Sequence, residues 1–206
     1  MQTKAIKHKD QLKRFIIMDT LEQYRNAVKD YAVRGVDYLF HNEGDDHALI
    51  IFTTIFSFTE RIIRIAANKL CNNEVVNQEE YISSLKGFLD KKDTRLNILL
   101  SNRPSFEEAN QDNCLYKMIF DHRAYKEGRV QIKDGEGKSF HDKNGKTIHF
   151  CTGDDKIYRI ENDIKERKAV ANFGDIKTTG VLNKAFDEVF RSVNVCVNLN
   201  DYYESR

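Results

Sequence analysis

Hydrophobic positions along the 206 residues switch between helical and extended spacing, and that switching gives the expected order of elements. Leu21, Tyr24, Val28 and Tyr31 recur at three- and four-residue intervals, which predicts a helix opened by Thr20, with Gln23 as capping-box partner, and ended near Gly35. A short extended piece is expected over residues 37–40. Asp45 and Asp46 then lead Ala48, Leu49, Ile51, Phe52, Ile55 and Phe56, a wide apolar helix face whose acidic start suits the helix dipole. Residues 61–67, Arg-Ile-Ile-Arg-Ile-Ala-Ala, are short and β-branched and predict a strand. The alternation repeats. Asn77 is expected to cap a helix carrying Tyr81, Leu85, Phe88 and Leu89, and residues 95–100 read as a second strand, mostly apolar as buried parallel strands are. Helix, strand, helix, strand implies a parallel pair joined by a right-handed crossover. A third helix, using Leu115, Met118 and Ile119, is expected after Pro104.

The C-terminal half has a different texture. Residues 129–133 alternate, with Val130 and Ile132 on one face, while 134–146 are polar and read as a long loop with the turn dipeptide Asn144-Gly145. Residues 147–152 and 156–161 read as strands joined by Gly153-Asp154-Asp155, a tight hairpin. Another short strand is expected over 169–173, and Asp175 or Thr178 opens a helix carrying Val181, Leu182, Ala185, Phe186, Val189 and Phe190. Val195, Val197 and Leu199 alternate in a last extended piece. The expected fold class is α/β (α+β mixed): a mixed sheet, parallel in its N-terminal part and antiparallel in the C-terminal hairpin, with helices on both faces. Residues 1–40 form a basic arm and helix, and 41–206 a single domain.

Composition narrows the function classes. No apolar run reaches the ~20 residues of a membrane helix, and no leader pattern opens the chain, so a cytoplasmic protein without a membrane partner is expected. Cys71, Cys114, Cys151 and Cys196 are too dispersed for a zinc or redox motif and are expected to be buried free thiols. The histidines are scattered, so neither a metal nor another cofactor is expected. The phosphate loop, zinc-protease and serine-hydrolase motifs are all missing. Net charge is only +1, yet Lys4, Lys7, Lys9, Lys13 and Arg14 crowd the first fourteen residues. That arm is either simply solvated or a contact for a phosphate backbone.

A helix and strand, a second helix and strand ending before Asn102, a later hairpin, and a closing strand and helix (Leu182 to Phe190) together resemble the phospholipase D-like family over residues 45–193. The resemblance implies a hairpin strand bearing H-x-K-x4-D, with a histidine nucleophile, a phosphate-holding lysine and an aspartate that orients the histidine. Counting from His149, the lysine position is Cys151 and the aspartate position is Lys156. Asp155 would need a bulge to reach the motif position. His141-Asp142-Lys143 supplies H-x-K, but in an expected loop and with Ile148 at the aspartate position. Losing one core catalytic residue can cost about a million-fold in turnover, so a site lacking two is expected to be crippled.

Candidate residues follow. His149 and Asp155 are the candidate catalytic pair; the competing account makes His149 structural and Asp154 and Asp155 turn residues. Arg159 and Glu161 share a strand face, either as an ion pair or with Arg159 reading a phosphate. Asn102 and Arg103, just past a parallel strand, and Lys156 complete the candidate ligand set. The family builds one site from two halves, which implies a homodimer. The leading expectation is a degenerate phospholipase D-like protein that binds a nucleotide, a nucleic acid or a protein partner in a prokaryotic stress, DNA-metabolism or phage-defence system. An active phosphodiesterase or nuclease around His149, and a nucleic-acid adaptor acting through the arm, are the alternatives.

Overall fold

The computed structural model describes residues 20–110 and 113–203. Residues 20–34 form helix α1. The order continues β1 (Phe40–Glu43), α2 (Gly44–Phe58), β2 (Ile62–Ala67), α3 (Glu79–Asp90), β3 (Arg95–Leu100), α4 (Phe106–Asn110), α5 (Cys114–Asp121) and α6 (Arg123–Lys126). It ends β4 (Val130–Asp134), β5 (Phe140–His141), β6 (Thr147–Gly153), β7 (Ile157–Asp163), β8 (Lys168–Asn172), α7 (Ile176–Ser192) and α8 (Asn200–Tyr203). One mixed sheet runs β1-β8-β7-β6-β2-β3-β4, with β5 pairing β6 off that path. Its β2, β3 and β4 are parallel, and β6, β7, β8 and β1 are antiparallel. This is the mixed architecture that the two textures of the sequence imply.

The sheet separates two cores. On one face Ile63, Ile65, Leu96, Ile98, Val130 and Ile132 pack against α2, α3 and α5, and Val28 and Ala32 of α1 join the same core. On the other, Ala66, Leu99, Phe150 and Tyr158 pack beneath Leu182, Phe186 and Phe190 of α7. Asp175 is the N-cap of α7, its side chain accepting from Thr178 N at 2.9 Å. The helix is also tied by Arg64, which donates to both oxygens of Asp187 at 2.8 and 3.0 Å.

Several expectations shift. The extended piece at 37–40 is displaced: the strand is Phe40–Glu43, an edge paired to β8. Asn77 does not cap α3; Gln78 holds that place with no side-chain bond, while Asn77 Oδ1 accepts from Leu115 N at 3.2 Å and ties the loop to α5. The single helix after Pro104 is three short ones. The polar stretch 134–146 contains β5, because the Asn144-Gly145 turn lets Phe140 and His141 pair with Ile148 and Thr147. His141 therefore lies on a strand, not in a loop. The last extended piece makes only one isolated bridge, Lys133 to Cys196. Of the four free cysteines only Cys151 is buried; Cys71 is half-buried, and Cys114 and Cys196 are exposed because they fall at a helix start and on that irregular segment.

The β6–β7 hairpin is locked to the start of β2 by Asp154. Its Oδ2 accepts from Glu60 N at 2.8 Å, and its Oδ1 accepts from Arg61 N at 2.9 Å and Ile62 N at 3.0 Å. The residue sits at φ 48, a left-handed conformation that aspartate tolerates better than most. Gly153 beside it has no room for a Cβ, which would strike the Thr59 hydroxyl. Asp154→Ala strands three backbone donors and is expected to cost about 2–3 kcal/mol in urea unfolding. Asp155→Ala breaks only an exposed pair with Arg61 and is expected to change stability by less than about 0.5 kcal/mol.

Candidate functional site

Side chains opposite each other in neighbouring strands leave a sheet on the same face, so the register fixes what meets what. Arg159 on β7 is opposite Cys151 on β6 and Ala171 on β8, and Glu161 is opposite His149 and Ala169. All point toward α2. His149 Nδ1 lies 3.2 Å from Glu161 Oε2, and Arg159 Nη2 donates to Glu161 Oε1 at 3.2 Å. The Arg159–Glu161 pair runs along one strand, and the cross-strand partner of Glu161 is the histidine. An ionised carboxylate only accepts, so the bond to Glu161 is donated by Nδ1.

Burial pushes the Glu161 carboxyl up, but the bond from His149 and the charge of Arg159 pull it further down, leaving it below its ordinary 4.5. Arg159 is 4% exposed, and its guanidinium carbon sits 4.8 Å from the centroid of the Phe52 ring. Its Nε is buried without an acceptor, as is the hydroxyl of Tyr81, whose titration burial pushes well up. Burial pushes the Cys151 thiol up to about 12, which removes it as a thiolate nucleophile.

His149, Arg159 and Glu161 line a cleft of about 370 Å³ at the C-terminal end of β2. Ala48 and Phe52 of α2 form one wall, and Leu70, Val75 and Val76 of the segment between β2 and α3 form another. Arg167, from the β7–β8 turn, also lines it and is ion-paired with Asp45 of α2 and, at 3.4 Å, with Glu74. Lys69 lines the rim and is held by Glu108 at 2.8 Å. Lys138 shares a small hollow with His149 on the other side of β6. Among the described residues no three His, Cys, Asp or Glu side chains converge as a metal set.

Only part of the expected site assembles. His149, Arg159 and Glu161 come together in the cleft. Asp155 does not join them: it caps the far end of the hairpin, paired with Arg61 at 2.5 Å. Lys156, at the same tip, approaches Gly35 after α1. Asn102 reaches the rim by donating to Asn68, a cleft residue, at 2.6 Å. Arg103 is turned to Tyr202 and Asp201. Lys4, Lys7, Lys9, Lys13 and Arg14 lie outside the described residues. Sequence reasoning missed Phe52, Lys69 and Arg167 as site residues: Phe52 reads as one more apolar position of α2, and Lys69 and Arg167 belong to connections that only the folded strand ends bring to the cleft.

Solved structures place the fold. The chain aligns with TrmBL2, an archaeal chromatin protein described as having a novel mode of DNA binding, at TM-score 0.52 and 14% identity, over 94% of this chain and 66% of that one. It aligns with phosphatidylserine synthase from Haemophilus influenzae at TM-score 0.52 and 8% identity, over 80% of this chain and 40% of that one. The fold is phospholipase D-like. Nuc from Salmonella typhimurium, a phospholipase D family member, aligns at TM-score 0.48 with 9% identity, over 78% of this chain and 97% of that one. At these identities the likeness is one of fold alone, and the chain spans less than two thirds of the chromatin protein and the synthase. No family model and no curated protein sequence matches it.

Because the Glu161 carboxyl titrates lower in the folded chain than its ordinary 4.5, its contribution to stability is present above that value and lost as pH falls through the folded one. Glu161→Gln is expected to destabilise the protein at about pH 7, and the gap from wild type should narrow by about pH 3. Urea midpoints of both proteins at the two pH values check this. A gap of constant size would mean that the carboxylate charge does not matter there.

Proposed function

We propose that the protein is a catalytically degenerate phospholipase D-like binding module that holds a phosphate-bearing ligand, such as a nucleotide or a nucleic-acid end, in this cleft. It does so as a homodimer in a prokaryotic stress, DNA-metabolism or defence system. One observation carries the reading. A buried arginine with an unpaired Nε lines the cleft, on the same sheet face as position 151, where the family resemblance puts a lysine and this chain has Cys151. A guanidinium opposite that position supplies a positive, bidentate donor to an anion without supplying a catalytic amine. Glu161 takes one Arg159 donor and one from His149, which keeps both side chains aimed while leaving Nε for a ligand.

A second reading, a phosphodiesterase with a rebuilt site, is favoured by the Glu161-oriented imidazole, with Lys138 in the hollow that His149 also lines on the other side of β6 as the amine to test. The His149 Nε2 would then act as nucleophile or base, and Glu161 takes the orienting role first expected of Asp155.

Calorimetry with inorganic phosphate tests binding. Arg159→Lys is expected to weaken it about 10- to 100-fold, the loss of one or two charge-assisted bonds, and His149→Asn less. Unchanged affinity in both variants, with folding verified by circular dichroism, rejects the cleft as the site. A strict monomer on gel filtration removes the dimer. Turnover of a generic phosphodiester that disappears in His149→Asn and Lys138→Ala replaces the binding reading by the enzymatic one.

A further inference from the structure

The charged floor accounts for one end of a ligand; the walls describe the rest of it. Ala48, Phe52, Leu70, Val75, Val76 and Ile164 surround the His149–Glu161–Arg159 cluster, and none offers a side-chain hydrogen bond. Phe52 presents a ring that already lies against the guanidinium of Arg159, 4.8 Å from its carbon. Ile164, in the β7–β8 turn, is 38% exposed, a branched apolar side chain left at the lip of the cleft with water on one side. Leu70, in the segment between β2 and α3, is held at φ 53, a conformation that is costly for a leucine.

A groove for a nucleic-acid strand would need a continuous run of cations and two open ends. Here the lining cation Arg167, in the β7–β8 turn, is engaged by Asp45 and Glu74. Lys69, the other rim cation, is engaged by Glu108. The resulting space of about 370 Å³ falls in the range of small-molecule pockets, which reach from roughly 300 Å³ upward. Arg167 and Lys69 are already paired, so mainly apolar walls around the one buried anchor, Arg159, match a molecule with one charged end and a water-poor body.

Building on the phosphate reading above, we infer that the ligand is a small amphipathic phosphate monoester, one phosphate at Arg159 and His149 and a compact aromatic or branched apolar body against Phe52, Val76 and Ile164. The source is a free metabolite-sized molecule and not a polymer. Burying an aromatic ring in such a cleft adds apolar contact that inorganic phosphate lacks, so affinity rises with the body and not with the number of phosphates.

Titration calorimetry of the full chain with inorganic phosphate, phenyl phosphate and a single-stranded oligodeoxynucleotide tests this. Phenyl phosphate is expected to bind at least about tenfold more tightly than inorganic phosphate. The oligonucleotide is expected to bind no more tightly than inorganic phosphate. Ile164→Ser, with folding checked by circular dichroism, should weaken phenyl phosphate about three- to tenfold while inorganic phosphate, which does not reach this side chain, binds as before. Arg159→Lys should weaken both. Equal affinity for the two small ligands, with both still dependent on Arg159, overturns the amphipathic ligand and leaves the phosphate reading standing. An oligonucleotide that binds more tightly than phenyl phosphate, and loses affinity in Arg159→Lys, overturns it in favour of a polymer. If neither small ligand binds, the phosphate reading falls and this inference with it.

Discussion

A guanidinium carried into the interior of a sheet sets the terms for everything near it. Arg159 belongs to a row that crosses the sheet through Phe40, Ala171, Cys151, Ile65, Ile98 and Ile132, all apolar or nearly so. Withdrawing a charge from water costs several kcal/mol unless a counter-charge and hydrogen bonds compensate. Glu161, two residues on, is the counter-charge, and a buried carboxylate carries the same liability unless it too is bonded. His149 completes that chain by donating to its second oxygen. The three side chains are thus one unit. The α2 helix contributes Phe52 to cover it, and Asp154 fixes the hairpin register on which the unit depends.

Much of the fold was legible because burial on both faces leaves an unmistakable texture. β2 and β3 are runs of branched apolar residues, and the helix after Asp175 shows a clean apolar stripe above a side-chain cap. What escaped was structure whose stability comes from its neighbours. β1, Phe-His-Asn-Glu, has no strand signature of its own and exists because β8 offers an unpaired edge. β5 is two residues long and is held by the turn at Asn144-Gly145 and by Phe140 stacking toward Phe150 and Phe186. Asn77 looked like a cap because caps and loop ties use the same amide chemistry, and only tertiary contact with Leu115 decides between them.

The site was legible to the same depth. Strand parity alone puts Arg159 and Glu161 on one face. The hairpin tip at Gly153 and Ile157 then obliges His149 to face Glu161, a deduction available once the turn length is known. That same turn length excludes Asp155, because it lies in the tip beyond the last rung, itself four rungs from His149, and no bulge intervenes between β6 and β7. Arg167 and Lys69 could not be found this way. They belong to connections whose positions depend on how strands end, and polar connections carry no periodicity.

If position 151 is where the proposed reading puts a lysine, its replacement by Cys151 can be argued as one physical event. Cys151 and Arg159 face each other across the β6–β7 ladder. Like charges directly opposite on adjacent strands are destabilising, and both positions here are almost fully buried. A lysine at 151 beside an arginine at 159 would place two cations against the single carboxylate of Glu161. The sheet accommodates one of them. A lysine there would present a compact amine beside the imaginary path of a reacting phosphate. An arginine reaching over from the next strand presents a planar fork, cannot give up a proton under ordinary conditions and is braced by Phe52. On that argument the proposed shift from turnover to holding does not require the site to be dismantled; moving its cation across one rung of the sheet is enough.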